Sequence, residues 1–132
     1  FPAISPAIIV LICKGDSILL ARTCYSRSPF MGLVAGFLET GESLEACVHR
    51  EVFEETGLQI RNLRYFGNQP WPYPSGLMVG FIADYAAGEI RLQKEELSEA
   101  AFFDRNRLPP LPPPLSLARR MIDWWLDCPS SR

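Results

Sequence analysis

Apolar runs alternate along this chain with short polar breaks, and the pattern predicts strands arranged around one strong helix. Residues 7–13 are continuously apolar and rich in β-branched side chains, as in a strand buried on both faces. Lys14-Gly15-Asp16 has the composition of a turn, and residues 17–24 resume the apolar run, so the two segments predict a hairpin. Residues 26–32, with Pro29 and Gly32, predict a loop, and residues 33–37 a short strand entering a glycine-bearing turn. Over residues 43–56 the period changes. Leu44, Val48 and Val52 recur every four positions and mark the buried stripe of a helix. Ser43 is placed to cap its start, and Gly57 to end it in the left-handed conformation. Strands over residues 59–67 and 77–86 follow, separated by a proline-rich segment, and residues 101–103 predict a short further strand. Residues 108–114 carry too many prolines for a helix or a central strand, whereas residues 115–126 predict a final helix. Strands on either side of one helix, with a second helix at the end, indicate an α/β sandwich.

Composition narrows the picture without changing it. A chain of 132 residues is one domain with room for a single sizeable core. Its 48% hydrophobic and 21% charged residues exclude a disordered chain. A net charge of -2 excludes general electrostatic attraction to nucleic acid or to an anionic membrane. Cys13, Cys24, Cys47 and Cys128 form no C-x-x-C pair, and His49 has no partner at ligand spacing, so no zinc site is expected. Cys13 and Cys24 lie in strand-like runs and are expected to be buried thiols, in a reducing, cytoplasmic compartment. The apolar run at residues 7–13 is far shorter than the roughly 20 residues of a membrane helix, and no membrane association is expected. The chain begins Phe1-Pro2 rather than with Met, and the expectation is that it was cut from a longer protein.

The chemistry concentrates on the helix. Glu51, Glu54 and Glu55 are spaced i, i+3 and i+4 and therefore project from one face. Like charges at that spacing repel unless a cation neutralises them, and carboxylate oxygens suit Mg²⁺ or Mn²⁺. Arg50 can pair with a neighbouring glutamate and orient it, and Glu42 can join that network. Taken alone, three glutamates fit a solvated acidic helix face better than a metal site. The longer segment GFLETGESLEACVHREVFEETGL, residues 36–58, resembles the Nudix box, G-x5-E-x7-R-E-U-x-E-E-x-G-U, where U is aliphatic. Gly36, Glu42, Arg50, Glu51, Val52, Glu54, Glu55, Gly57 and Leu58 match every fixed position. The resemblance implies a Nudix α/β/α sandwich with a mixed sheet, the box forming a loop-helix-loop. It also implies that Glu51, Glu54 and Glu55 bind catalytic divalent cations, with Glu54 or Glu55 as the base. The carbonyl of Ala35 would complete the metal shell, and Arg50 and Glu42 would orient the carboxylates. The implied reaction is hydrolysis of a nucleoside diphosphate linked to another group, the metals activating water.

A second segment, Asn68-Gln69-Pro70-Trp71-Pro72-Tyr73-Pro74-Ser75, has the composition of a stiff loop covering a core. It also resembles the array S-Q-P-W-P-F-P-x-S of the NADH pyrophosphatase subfamily of Nudix hydrolases. Asn68 replaces the first serine and Gly76 the last, which departs from that array at both ends. Prolines would hold Trp71 and Tyr73 rigidly for stacking on planar rings. Phe37 would offer a further stacking face, its alternative being core packing, and Met78 would also face the substrate. Phe1 falls where the subfamily has a substrate-contacting tyrosine. Lys94-Glu95-Glu96-Leu97-Ser98-Glu99-Ala100 is similar to the subfamily's K-E-L-x-E-A stretch, which implies Glu96 as a further metal ligand with Glu99 nearby. LPPLPPPLSLARR, residues 108–120, resembles its closing segment, where Ala118 would line the nucleotide site. The subfamily's N-terminal domain and zinc ribbon are not in this sequence.

The resulting expectation is one Nudix hydrolase domain over residues 1–132, with the box at 36–58 and the array at 68–76. It would cleave NADH or NAD to nicotinamide mononucleotide and AMP, remove NAD caps from RNA, and form a homodimer in the full-length protein. The nearer alternative is a Nudix hydrolase of ADP-ribose or a nucleoside triphosphate. A different class of reading takes the P-x-x-P spacing in residues 109–114 as a polyproline ligand, an interaction module rather than an enzyme.

Overall fold

The computed structural model describes residues 5–24, 29–71, 76–93 and 95–129. Phe1, and residues 26–28 of the expected loop, lie outside the described residues. So do Pro72, Tyr73, Pro74, Ser75 and Lys94, as well as the side chain of Trp71.

The long apolar run becomes β1 (Ser5–Lys14), the centre of a six-stranded mixed sheet. The other strands are β2 (Ser17–Thr23), β3 (Val34–Phe37), β4 (Gln59–Trp71), β5 (Gly76–Ala87) and β6 (Leu97–Asp104). Their order is β4-β5-β1-β2-β6, with β3 paired to β1 beside that path. β1 runs parallel to β5 and antiparallel to β2 and β3. The hairpin to β2 is brief: the β1–β2 ladder holds only Cys13 opposite Ile18 and Lys14 opposite Ser17. β2 then diverges toward β6, leaving residues 7–10 of β1 open to β3.

Both faces of β1 are buried, as its continuous apolar pattern predicts. Ile8, Val10 and Ile12 face α1 (Leu44–Thr56), while Ile9 and Leu11 face α2 (Leu117–Asp127). Each fully buried aliphatic side chain contributes roughly 1.5–3 kcal/mol, so the two helices clamp the sheet into an α/β/α sandwich. α1 begins at Ser43, whose side chain accepts a hydrogen bond from the Ala46 N–H, and ends at Gly57 with φ 79°. Its buried face includes Cys47 beside Val48 and Val52, with Leu44 only partly covered.

Several local expectations are corrected. Cys24 is exposed, because β2 ends at Thr23; its thiol donates to the Glu95 carbonyl at 2.8 Å. Cys13 is half-buried. β4 does not stop at residue 67 but continues through Pro70 to Trp71. A proline is tolerated there because β4 lies at the sheet edge, where a missing N–H breaks no second ladder. Asn68 to Trp71 is thus a strand end rather than a loop. β6 is longer than the three residues expected, because residues 97–104 find a partner in β2.

The proline-rich segment is a packed connector, not a free ligand. Pro112 is buried, Leu108 and Leu111 pack on the α2 core, and the Pro110 carbonyl accepts from the Met31 N–H at 2.9 Å. Arg119 Nη1 donates to the Pro112 carbonyl at 3.0 Å.

Candidate active site

The site assembles where β3 turns into α1. Glu39 N–H donates to Glu42 Oε1 and Glu42 N–H to the Glu39 carbonyl, both at 3.0 Å, closing the loop that delivers Glu42 to the helix. Arg50 then gathers three carboxylates. Its Nε donates to Glu42 Oε2 at 2.6 Å and its Nη2 to Glu42 Oε1 at 2.9 Å, a bidentate fork. Nη1 donates to Glu51 Oε1 at 2.7 Å and to Glu54 Oε1 at 3.1 Å, and Nη2 reaches the Phe37 carbonyl at 3.1 Å. This fork holds the Glu42 carboxyl at about 2, well below the ordinary value, with the Glu39 N–H assisting. Hydrogen bonds to Glu42, then to Glu51, keep Arg50 firmly protonated. Glu39 adds a longer contact to Arg50 Nε at 3.7 Å.

Glu55 is in the opposite condition. It is only 6% exposed, and burial, followed by Glu51 and the charges of Glu96 and Glu54, raises its carboxyl to about 9. Such a group is neutral at pH 7 until a cation compensates it. Cys47 is also buried, and burial together with the Glu42 carboxylate pushes its thiol up to about 12. It packs rather than reacts.

A cavity of about 330 Å³ is lined by Ala35, Gly36, Phe37, Glu51, Glu54, Glu55, Gln93 and Glu96. The structure therefore brings Ala35, Glu51, Glu54, Glu55 and Glu96 together. Glu96 arrives on a turn in which the Gln93 carbonyl accepts from the Glu96 and Leu97 N–H groups. The Cys24 N–H, at the end of β2, donates to the Glu96 carbonyl at 3.0 Å. Glu99 does not line the cavity; it lies on β6 opposite Arg22 and pairs with its Nε at 3.1 Å. Gln93 carries no motif signal. It reaches the cavity because its N–H donates to the Glu55 carbonyl at 3.1 Å.

The donors are all oxygens, which fits a hard divalent cation. Arg50 takes Oε1 of Glu51 and of Glu54, leaving both Oε2 atoms outside its fork. A Cβ at Gly36 would sit 1.9 Å from Glu51 Oε2, so the strand backbone is the wall against which that carboxylate rests. Among the described residues, no three acidic, thiol or imidazole side chains already stand in a closed ligand set. With Arg50 drawing Glu51 and Glu54 toward itself, the described arrangement is a set of hard donors held close, not a closed shell.

The substrate candidates lie across the sheet end. Phe37 is opposite Ala7, Ala7 opposite Met78, and Met78 opposite Gln69, one row over four strands. Register partners share a face, and Met78 packs on the α2 side, as does Ala118. Phe37 is 55% exposed on that row, which is not core packing. Gln69 is committed to structure: its Oε1 accepts from the Leu117 N–H at 2.9 Å and its Nε2 donates to the Leu115 carbonyl at 3.3 Å. It thereby caps α2. Pro70 is exposed on β4 opposite Leu77, and Gly76 opens β5 opposite Trp71.

A second cavity, of about 420 Å³, lies at the far end of β1 between Lys14, Asp84, Tyr85, Arg105 and Trp125. Three cations line it, Arg61 among them, and two of these rest on rings, Lys14 over Tyr85 at 4.4 Å and Arg105 over Trp125 at 4.5 Å. It holds a single carboxylate, so size alone does not locate the chemistry.

Comparison with known proteins agrees with this geometry. The NUDIX domain family model matches residues 3–125. A relative from Pasteurella multocida named NAD-capped RNA hydrolase NudC is 50% identical over 128 residues, which is 96% of this chain and 48% of the relative. One of the same name from Haemophilus influenzae is 51% identical over 131 residues, 96% of this chain and 50% of its own length. The chain thus spans about half the length of the curated relatives it matches. Among solved structures, a MutT NUDIX hydrolase from Burkholderia pseudomallei superposes with a TM-score of 0.74 at 21% identity, covering 91% of this chain and 95% of that one. That likeness concerns the fold.

Proposed function

This chain belongs to the NUDIX domain family, and from that premise we propose that it hydrolyses the pyrophosphate of NADH or NAD to nicotinamide mononucleotide and AMP. We extend the proposal to NAD caps at RNA 5′ ends, the substrate named for its relatives. The observation that carries it is a cavity lined by four glutamates and Ala35 that opens beside Phe37, in register with the Trp71-bearing hairpin.

Glu51, Glu54, Glu55, Glu96 and the Ala35 carbonyl would hold Mg²⁺ or Mn²⁺, which lowers the pKa of a bound water and neutralises charge on the phosphates. The chain's own residues do the rest. Arg50, fixed by Glu42, sets the rotamers of Glu51 and Glu54. Phe37 and Trp71 supply ring faces for the substrate's planar groups. A water proton passes to Glu54 or Glu55 while the water oxygen bonds to phosphorus and the bridging P–O bond breaks. The pH–rate profiles of Glu54→Gln and Glu55→Gln identify which residue takes it. We also propose a homodimer for the full-length protein, tested by light scattering, and a cytoplasmic setting, in which four unpaired thiols are maintained.

The test is product analysis with NADH, ADP-ribose and dGTP in Mg²⁺ or Mn²⁺. Preferential release of AMP from NADH supports the reading; faster cleavage of ADP-ribose or dGTP refutes it.

A further inference from the structure

Beside Glu54 a third hollow, of about 430 Å³, is lined by Phe53, Glu54, Gly57, Arg91, Leu92 and Gln93. Glu54 and Gln93 also line the acidic cavity, so the two spaces are contiguous. Phe53 sits in the last turn of α1 and is 51% exposed, on a face otherwise made of Glu45, Ala46, His49 and Glu54. A ring serving only the core would turn inward.

The opposite wall is held in place. The Arg91 N–H donates to the Thr56 carbonyl at 2.7 Å and the Gln93 N–H to the Glu55 carbonyl at 3.1 Å. Gly57 permits this approach, since a Cβ there would meet the Glu89 carbonyl oxygen at 3.2 Å and Arg91 Cβ at 3.4 Å. Arg91 is exposed, and among the described residues no carboxylate lies within ion-pair distance of it. The hollow therefore offers one ring face and one uncommitted guanidinium beside a cavity walled by glutamates.

We propose that Phe53 and Arg91 form an outer subsite for the RNA chain that follows an NAD cap, Phe53 stacking a base and Arg91 meeting a backbone phosphate. The inference rests on the reading of the cavity as an NAD pyrophosphatase site. Its logic is charge complementarity and continuity. A polyanion leaving a carboxylate-lined cavity is repelled along most of its rim and is attracted where a cation stands. A solvent-facing ring adds stacking that tolerates any base. Free NAD has no chain to reach the subsite.

The experiment compares Phe53→Ala and Arg91→Ala in the protein on free NAD and on a 5′-NAD-capped oligoribonucleotide. Each variant should raise KM for the capped RNA by about tenfold, the size expected from one stacked base or one charge contact. On free NAD, kcat/KM should stay within about twofold. Arg91→Ala should also flatten the salt dependence of capped-RNA turnover. Phe53→Leu, which keeps the apolar bulk but removes the ring, covers the case in which Phe53→Ala fails to fold. Equal losses on both substrates, or no loss on either, overturn the inference; the second outcome would leave the hollow to a protein partner. Failure of the unsubstituted protein to cleave free NAD would instead overturn the proposed function.

Discussion

Substituting Gly36 by alanine tests whether the box glycine exists to make room for Glu51. A Cβ built at Gly36 lies 1.9 Å from Glu51 Oε2, 2.2 Å from its Cδ and 2.6 Å from its Cγ. Ordinary contact begins at 3.4 Å, so the carboxylate must retreat by about 1.5 Å (3.4 − 1.9) and the Cγ by about 0.8 Å (3.4 − 2.6). Rotating the carboxylate end alone does not relieve the second clash. The side chain has to leave its place, breaking the 2.7 Å bond to Arg50 Nη1. Overpacking of this kind costs about 1–3 kcal/mol, and a misplacement of roughly 1 Å in a reacting group costs about a hundredfold in rate. Gly36→Ala should therefore fold, bind Mn²⁺ more weakly in an electron paramagnetic resonance titration, and lose at least about a hundredfold in turnover. If the effect runs through Glu51, the stability cost of Gly36→Ala should fall below about 0.5 kcal/mol in a Glu51→Ala background. Turnover and Mn²⁺ affinity equal to those of the unsubstituted protein, or strictly additive stability costs in the double variant, would refute the reasoning.

Further predictions follow from the same geometry. Because the folded Glu55 carboxyl titrates at about 9 against 4.5 for an ordinary one, its contribution to stability is complete below pH 4.5 and is lost as pH rises toward 9. The metal-free protein should thus melt at falling temperature across that window, and Glu55→Gln should flatten the slope; a flat unsubstituted profile in chelator contradicts the burial account. Arg50→Lys keeps the charge but not the fork to Glu42, and should cost about 1–2 kcal/mol in denaturant unfolding, with Mn²⁺ affinity lowered as Glu51 and Glu54 lose their anchor. Gln69→Ala leaves the Leu117 N–H without its acceptor and should destabilise by about 1 kcal/mol; an unchanged melting temperature would return Gln69 to a purely substrate-facing role.

What was legible in the linear chain is what short-range physics encodes. The helix at 44–56, its Ser43 cap and its Gly57 stop depend on neighbours within four residues. The shared face of Glu51, Glu54 and Glu55 follows from helical spacing alone, and the buried character of β1 follows from an unbroken apolar run. Where partners are distant, the chain was silent or misleading. Cys24 reads as part of a strand, but the strand's end is set by pairing with β6, some seventy residues away. Pro70 reads as a loop until β4 is known to occupy a sheet edge. Gln69 reads as a substrate contact, although it caps a helix that starts 48 residues later. Gln93 has no signature, and Glu99, three residues beyond Glu96 on β6, points elsewhere because Arg22 claims it. The sequence by itself determined which carboxylates crowd one helix face and must be neutralised. Only the tertiary structure decided what closes around them, since Ala35, Gln93 and Glu96 reach that face through ladders and turns whose hydrogen bonds join segments far apart in the chain.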